Sequence, residues 1–203
     1  MNNYAYMLEG KAYINLTNKC GNACTFCIRN TGDGVKDTVL WLDSEPTSEE
    51  QVLRSFDALD YKGCEVVFCG YGEPTENMSV LLKTARELKR RGFKLRLNTN
   101  GLGNLANGAN IAPELKDFDV VSVSLNSCNA DKYLDITRSA WGIKAFDGVL
   151  EFATACKRAG LNVVFTVVDV IGKDDIDACQ ALCDGMGIPL RIRTYISDNY
   201  NGQ

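Results

Sequence analysis

The sequence predicts an α/β fold in which parallel strands curl into an open, partial (β/α)6 barrel, an incomplete TIM-type barrel. Three observations carry that expectation. Six short β-like segments alternate with five helical connections. Each unit runs to about 35 residues, the length of a strand–helix–strand crossover. The composition, 203 residues with 45% hydrophobic and 24% charged, is that of one globular domain.

Taken in order, residues 11–17 (KAYINLT) alternate apolar and polar and run into a cysteine-rich loop. Residues 65–68 (EVVF) form a short apolar run with Gly70 and Gly72 just beyond. Residues 93–97 alternate again and stop at Asn98-Thr99-Asn100-Gly101. Residues 120–125 (VVSVSL) are the most β-like, followed by 163–168 and a sixth candidate at 188–195. Between them, Thr47-Ser48-Glu49-Glu50 supplies a cap with a Glu three residues on, opening a helix to about Leu59. Residues 78–91, 145–159 and 174–186 carry apolar groups at helical spacing. Residues 105–116 read as a short helix, because glycines and asparagines crowd its start. A flat doubly wound sheet would show the same alternation, but six units fall short of a closed eight-stranded barrel. Either way the functional face lies at the C-terminal strand ends.

Composition excludes much. The chain has no histidine, so it offers no Ser-His-Asp triad, no His-ligated zinc and no imidazole base. The opening MNNYAYMLEG is not a signal peptide, and no apolar run approaches a membrane span. That predicts a cytoplasmic protein, where clustered cysteines usually mean metal or catalysis. A net charge of −4, with one short basic run at Lys89-Arg90-Arg91, argues against nucleic-acid binding.

Nine cysteines are the other unusual count. Cys20, Cys24 and Cys27 fall in the string CGNACTFC, on a loop at about 18–30 after the first strand. Three thiolates are one short of the four that usually hold a [4Fe–4S] cube, which leaves one iron open. A three-cysteine zinc site with a distant fourth ligand, or three unrelated thiols, are the alternatives.

The CxxxCxxC string with Phe26 before its last cysteine resembles the signature of the radical S-adenosylmethionine (SAM) superfamily. The resemblance implies that Cys20, Cys24 and Cys27 hold a [4Fe–4S] cluster whose open iron takes the amino and carboxylate groups of SAM. SAM would then be cleaved reductively to a 5′-deoxyadenosyl radical that abstracts hydrogen from a substrate. Cys69-Gly70-Tyr71-Gly72-Glu73-Pro74 resembles the superfamily's Gly-Gly-Glu-Pro stretch, with Tyr71 in place of its first glycine; Gly72 and Glu73 would meet the SAM amino group. Asn98, Ser124 and Asn126 would suit the hydroxyls and carboxylate of the nucleoside, and Arg138 resembles an arginine that pairs with that carboxylate. For each of these, satisfying backbone groups at a strand end, or a place on the surface, is the plainer alternative.

Over nearly the whole chain, strings such as INLTNKC, LWLDSEPT and VVFCGYGEPT read like the small radical SAM proteins named for association with TatD-type metal hydrolases. That implies a single core domain over residues 1–203 without an auxiliary-cluster domain. It also implies an external one-electron reductant such as flavodoxin or ferredoxin, a small-molecule or protein substrate, and TatD-type hydrolase association. Two other functions compete: activation of a partner protein by making a glycyl radical, and a non-catalytic iron–sulfur or zinc protein. Of the remaining cysteines, Cys156, Cys179 and Cys183 read as core and Cys64 has no assignment. Cys69 and Cys128 lie just past strand ends, where either thiol could donate a hydrogen atom or ligate. Cys27, Glu73, Asn98, Ser124 and Val167 are expected to surround one cavity, and residues 39–42 to pack across its edge.

Overall fold

The computed structural model describes residues 2–195; Met1 and residues 196–203 of the expected domain lie outside them. Nine strands and six α-helices follow one another in the order β1 (Ala5–Leu8), β2 (Lys11–Ile14), β3 (Gly34–Val35), β4 (Thr38–Val39), α1 (Glu49–Asp57), β5 (Glu65–Phe68) and α2 (Met78–Arg90). Then come β6 (Lys94–Thr99), α3 (Gly103–Asn107), β7 (Val120–Ser124), α4 (Ala130–Thr137), α5 (Lys144–Arg158), β8 (Val163–Val168), α6 (Lys173–Met186) and β9 (Leu190–Arg193). The main sheet has the order β1-β2-β5-β6-β7-β8-β9. All six predicted strands are present and pair in parallel.

Three elements were not expected. β1 pairs antiparallel with β2 through the two-residue turn Glu9-Gly10, both at positive φ (49° and 73°), the geometry that keeps a tight hairpin in twist. β3 and β4 form a small ribbon inside the long loop. α4 occupies the stretch between Cys128 and Trp141, capped by the Asn129 side chain, which accepts from the N–H groups of Asp131 and Lys132. Elsewhere the differences are local. α1 is capped one residue later than the sequence suggests, at Ser48, with Gln51 reaching back to the Ser48 N–H at 3.2 Å. The doubtful segment 105–116 divides into α3 and a 3-10 turn at Ala112–Leu115.

The sheet is curled. Flat, β1 and β9 would lie six strand spacings, about 29 Å, apart. Instead Tyr6 and Leu8 of β1 line the same 300 Å³ cavity as Arg193 of β9. Strand alternation sorts the two faces. Ile14, Phe68, Leu97, Val123, Phe165 and Val167 point outward into a core shared with Val52, Leu81, Phe152 and Cys179 of the helices. Tyr13, Asn98, Ser124 and Thr166 point inward. A polar inner face leaves the barrel hollow, where a fully closed barrel is filled with branched apolar side chains. Among the described residues, no helix is long and apolar enough to cross a membrane.

Candidate active site: a cysteine loop over a hollow barrel

The cavity opens at the C-terminal ends of the strands. Cys20, Cys24, Phe26 and Cys27 form one wall, and Cys69, Asn98, Asn100, Ser124, Asn126 and Thr166 line it from the strand ends. Asn126 sits at φ 59°, a left-handed conformation that asparagine tolerates better than most side chains.

The cysteine loop is held from two sides. On one, α4 receives it: the N–H groups of Ala23 and Thr25 donate to the carbonyls of Thr137 and Ile136 at 2.8 and 2.9 Å. The Ala140 N–H donates to the Gly21 carbonyl at 2.8 Å, with the Trp141 ring pressed against Gly21. On the other side, the Glu73 N–H donates to the Lys19 carbonyl at 2.7 Å. Gly72 lies so close that a Cβ there would stand 2.3 Å from the Thr17 carbonyl oxygen and 2.5 Å from that of Lys19. Gly72 thus serves contact between two loops and does not line the cavity. Glu73 does not line it either. Its buried carboxylate accepts from the Thr75 N–H and hydroxyl at 3.1 and 2.8 Å, the Thr99 hydroxyl at 2.8 Å and the Asn100 N–H at 2.6 Å. Burial pushes its pKa up, and those donors hold it back.

Arg138 departs further from expectation. It ends α4 at φ 46°, exposed and away from the cavity. Cys128 is half-buried against the core, near Cys179, and does not line the cavity. Val167 is fully buried on the opposite face of β8; the cavity takes its neighbours Thr166 and Val168. Strand parity explains that error, since a one-residue offset exchanges faces. Tyr6, Tyr13, Thr166 and Arg193 were missed. The lone threonine in VVFTVV was the available signal for Thr166; Tyr6 lay on a strand that carried no expectation.

The long loop closes one flank. Leu40 and Leu42 are buried, the Asn15 side chain donates to the Leu40 carbonyl at 2.8 Å, and Asn18 exchanges hydrogen bonds with Leu42. Trp41 meets Tyr71 edge-on at 5.1 Å between ring centroids and carries the Arg29 guanidinium over its face at 4.7 Å. Tyr71, standing where a glycine was expected, therefore anchors this wall, and its hydroxyl donates to the Gly32 carbonyl at 2.7 Å.

The donor set on this wall is three thiols of one loop, the ligand type that iron–sulfur clusters take. Burial, then the neighbouring Cys27 and Cys20, pushes Cys24 up to about 12, so the three feel one another's charge. Yet among the described residues no three Cys, Asp or Glu side chains converge on one metal ion. A zinc ion with Zn–S bonds of ~2.3 Å would need sulfurs about 3.8 Å apart, whereas a cube takes each thiolate on a different iron. Asn100 Nδ2 stands 3.8 Å from Cys20 Sγ, placed to donate to it.

The family model for the radical SAM superfamily matches residues 14–183. A GTP 3′,8-cyclase from Rhizobium etli is 27% identical over 187 residues, 88% of this chain and 49% of its own length. A Methanocaldococcus jannaschii protein, MJ1227, provisionally named a glycyl-radical enzyme activating enzyme, is 26% identical over 62% of this chain and 53% of its own length. The chain thus spans about half the length of the curated relatives it matches. Among solved structures, SuiB of Streptococcus suis bound to its precursor peptide SuiA superposes with a TM-score of 0.65 at 20% identity, covering 91% of this chain and 39% of SuiB.

Proposed function

The chain belongs to the radical SAM superfamily, and on that premise we propose that it is an enzyme whose Cys20, Cys24 and Cys27 hold the [4Fe–4S] cluster the family uses. One observation carries this most: three thiols of one loop share a cavity with the uncharged polar groups of four strand ends. When bound, the cluster supplies the electron that cleaves SAM to methionine and a 5′-deoxyadenosyl radical, which takes hydrogen from the substrate. The protein's own part is placement. Asn100 donates to Cys20 Sγ and steadies that thiolate. Asn98, Ser124 and Asn126 offer donors and acceptors to the hydroxyls and carboxylate of SAM. Phe26 shields the cysteine wall, and Leu40, Trp41 and Tyr71 keep water from the flank.

Glu73 acts one step removed, holding the turn that presents Asn100. The electron would come from a flavodoxin- or ferredoxin-type donor in the cytoplasm, and the TatD-type association suggested by the sequence strings belongs to this reading. The test is anaerobic reconstitution followed by SAM and dithionite. Visible absorption of a cluster and release of 5′-deoxyadenosine are expected; a colourless protein that binds only zinc would overturn the reading.

A second reading, activation of a partner protein through a glycyl radical, draws on the match to MJ1227 and on the edge of β9, where no described strand pairs further and Ile192 is 52% exposed. A glycyl-radical doublet in the electron paramagnetic resonance spectrum of a partner would mark it.

A further inference from the structure

Among the described residues, the cavity lining has one side chain that is charged at neutral pH, and that charge is positive. Among the described residues, its lining contains carboxamides, hydroxyls, aromatic rings and aliphatic groups, with Arg193 as the only basic residue and no Asp or Glu. In a chain of net charge −4, a cavity whose described lining has no carboxylate is a selective arrangement. The register fixes where Arg193 stands. It pairs with Val168 across β8 and β9, and Val168 faces inward. The strand end is held by the Tyr195 N–H donating to Asp169 Oδ1 at 2.9 Å.

The contrast with Arg96 is informative. Arg96, on the inner face of β6, is neutralised by Glu65 at 2.7 Å, which also takes Lys11 at 2.7 Å. Arg193 has no carboxylate within ion-pair distance among the described residues; the groups that feel its charge are the Cys69 thiol and the Tyr13 phenol. A guanidinium presents paired N–H donors that match a carboxylate or phosphate. The Tyr13 ring, stacked on Tyr6 at 5.3 Å, adds a flat wall beside it.

We propose that the substrate admitted beside SAM bears an oxyanion, a carboxylate or a phosphate, and that Arg193 binds that group at the β9 rim. The inference rests on the radical SAM reading, in which the open iron occupies SAM's own carboxylate and leaves Arg193 for a second ligand. It makes amines and other cations poor substrates. Arg193 acts here in binding and specificity.

Phenylglyoxal labelling of arginines, read by peptide mass spectrometry, tests this on cluster-reconstituted protein. SAM alone should leave the labelling rate of Arg193 unchanged. Inorganic phosphate or acetate, added to SAM-loaded protein at constant ionic strength, should slow it about 10-fold or more at saturation, the loss of access expected when a charge-assisted contact forms. Exposed Arg158 should label at one rate throughout. Protection by phosphate alone would point to a phosphorylated substrate, by acetate alone to a carboxylate, and by both to the shared chemistry. Arg193→Gln should leave SAM affinity, measured by equilibrium dialysis, unchanged. Protection of Arg193 by SAM alone, or a tenfold weaker SAM affinity in Arg193→Gln, would assign the residue to the cofactor and overturn the proposal. So would indifference to both anions in protein that binds SAM. Reconstituted protein that bound no SAM would instead bring down the radical SAM reading, and this inference with it.

Discussion

The carboxylate of Glu73 accepts the backbone N–H of Asn100 at 2.6 Å, joining the loop after β5 to the loop after β6. Asn100 in turn reaches Cys20 Sγ, so a buried acid outside the cavity lining is two contacts from the cysteine loop.

Removing that acid should therefore cost stability before it costs SAM contacts. Glu73→Ala strands the amides of Thr75 and Asn100, and two unsatisfied buried donors cost about 2–6 kcal/mol. Glu73→Gln keeps one acceptor oxygen but turns an N–H toward a donor, for about half that loss. Urea denaturation of the metal-free protein measures both. A Glu73→Ala protein of wild-type stability with weakened SAM binding would return Glu73 to direct ligand contact.

Gly72→Ala should separate the two loops. Its Cβ would overlap two backbone carbonyl oxygens that cannot rotate away. A destabilisation of about 1–3 kcal/mol is expected from such overpacking, together with lower iron content after reconstitution. Wild-type iron content with wild-type stability would contradict this contact.

Cys24→Ala should abolish the visible absorption of the cluster and all release of 5′-deoxyadenosine, because two thiolates remain at the loop. Cys179→Ala, in the helix-packed core, should keep both and lose about 1 kcal/mol or slightly more through its small cavity. The reverse pattern in iron analysis would mean that the metal sits elsewhere.

The acid limb of stability should depend on Glu65. Burial raises its pKa, but hydrogen bonds from Lys11 and Arg96 outweigh that and bring it below the ordinary 4.5. A depressed acid stabilises the fold above its unfolded pKa and loses that contribution as pH falls through the folded one. Glu65→Gln should therefore remove about 1 kcal/mol near neutrality, a partly exposed pair's worth, and flatten the decline below about pH 4.5. Parallel curves for the two proteins would show that the ion pair contributes nothing.

The sequence made the sheet legible because parallel strands buried against helices are written as continuous β-branched runs, as in VVSVSL. The cysteine loop was legible through spacing alone. What escaped depends on three-dimensional parity and on local capping. Val167 and Thr166 are adjacent in an almost wholly apolar run, and the chain does not announce which one faces inward. α4 is eight residues long, and its start at Asn129 was hidden among the polar residues after Cys128. Its C-terminal cap takes Arg138 into a left-handed turn, and no motif in the sequence signals that. Glu73 lies against the start of the cysteine loop, yet its neighbours Thr75 and Thr99 claim its oxygens.

The exchange of polar and apolar residues along β6 and β7 has a consequence for how such a chain can diversify. Insertion or deletion of a single residue within one of these strands would turn its hydroxyls and carboxamides toward the helices and its valines toward the hollow. Change in length is therefore confined to the rim, where Arg193 and the β3–β4 ribbon stand. A lineage built on this frame would vary its substrates by rewriting its margins and leaving the staves alone.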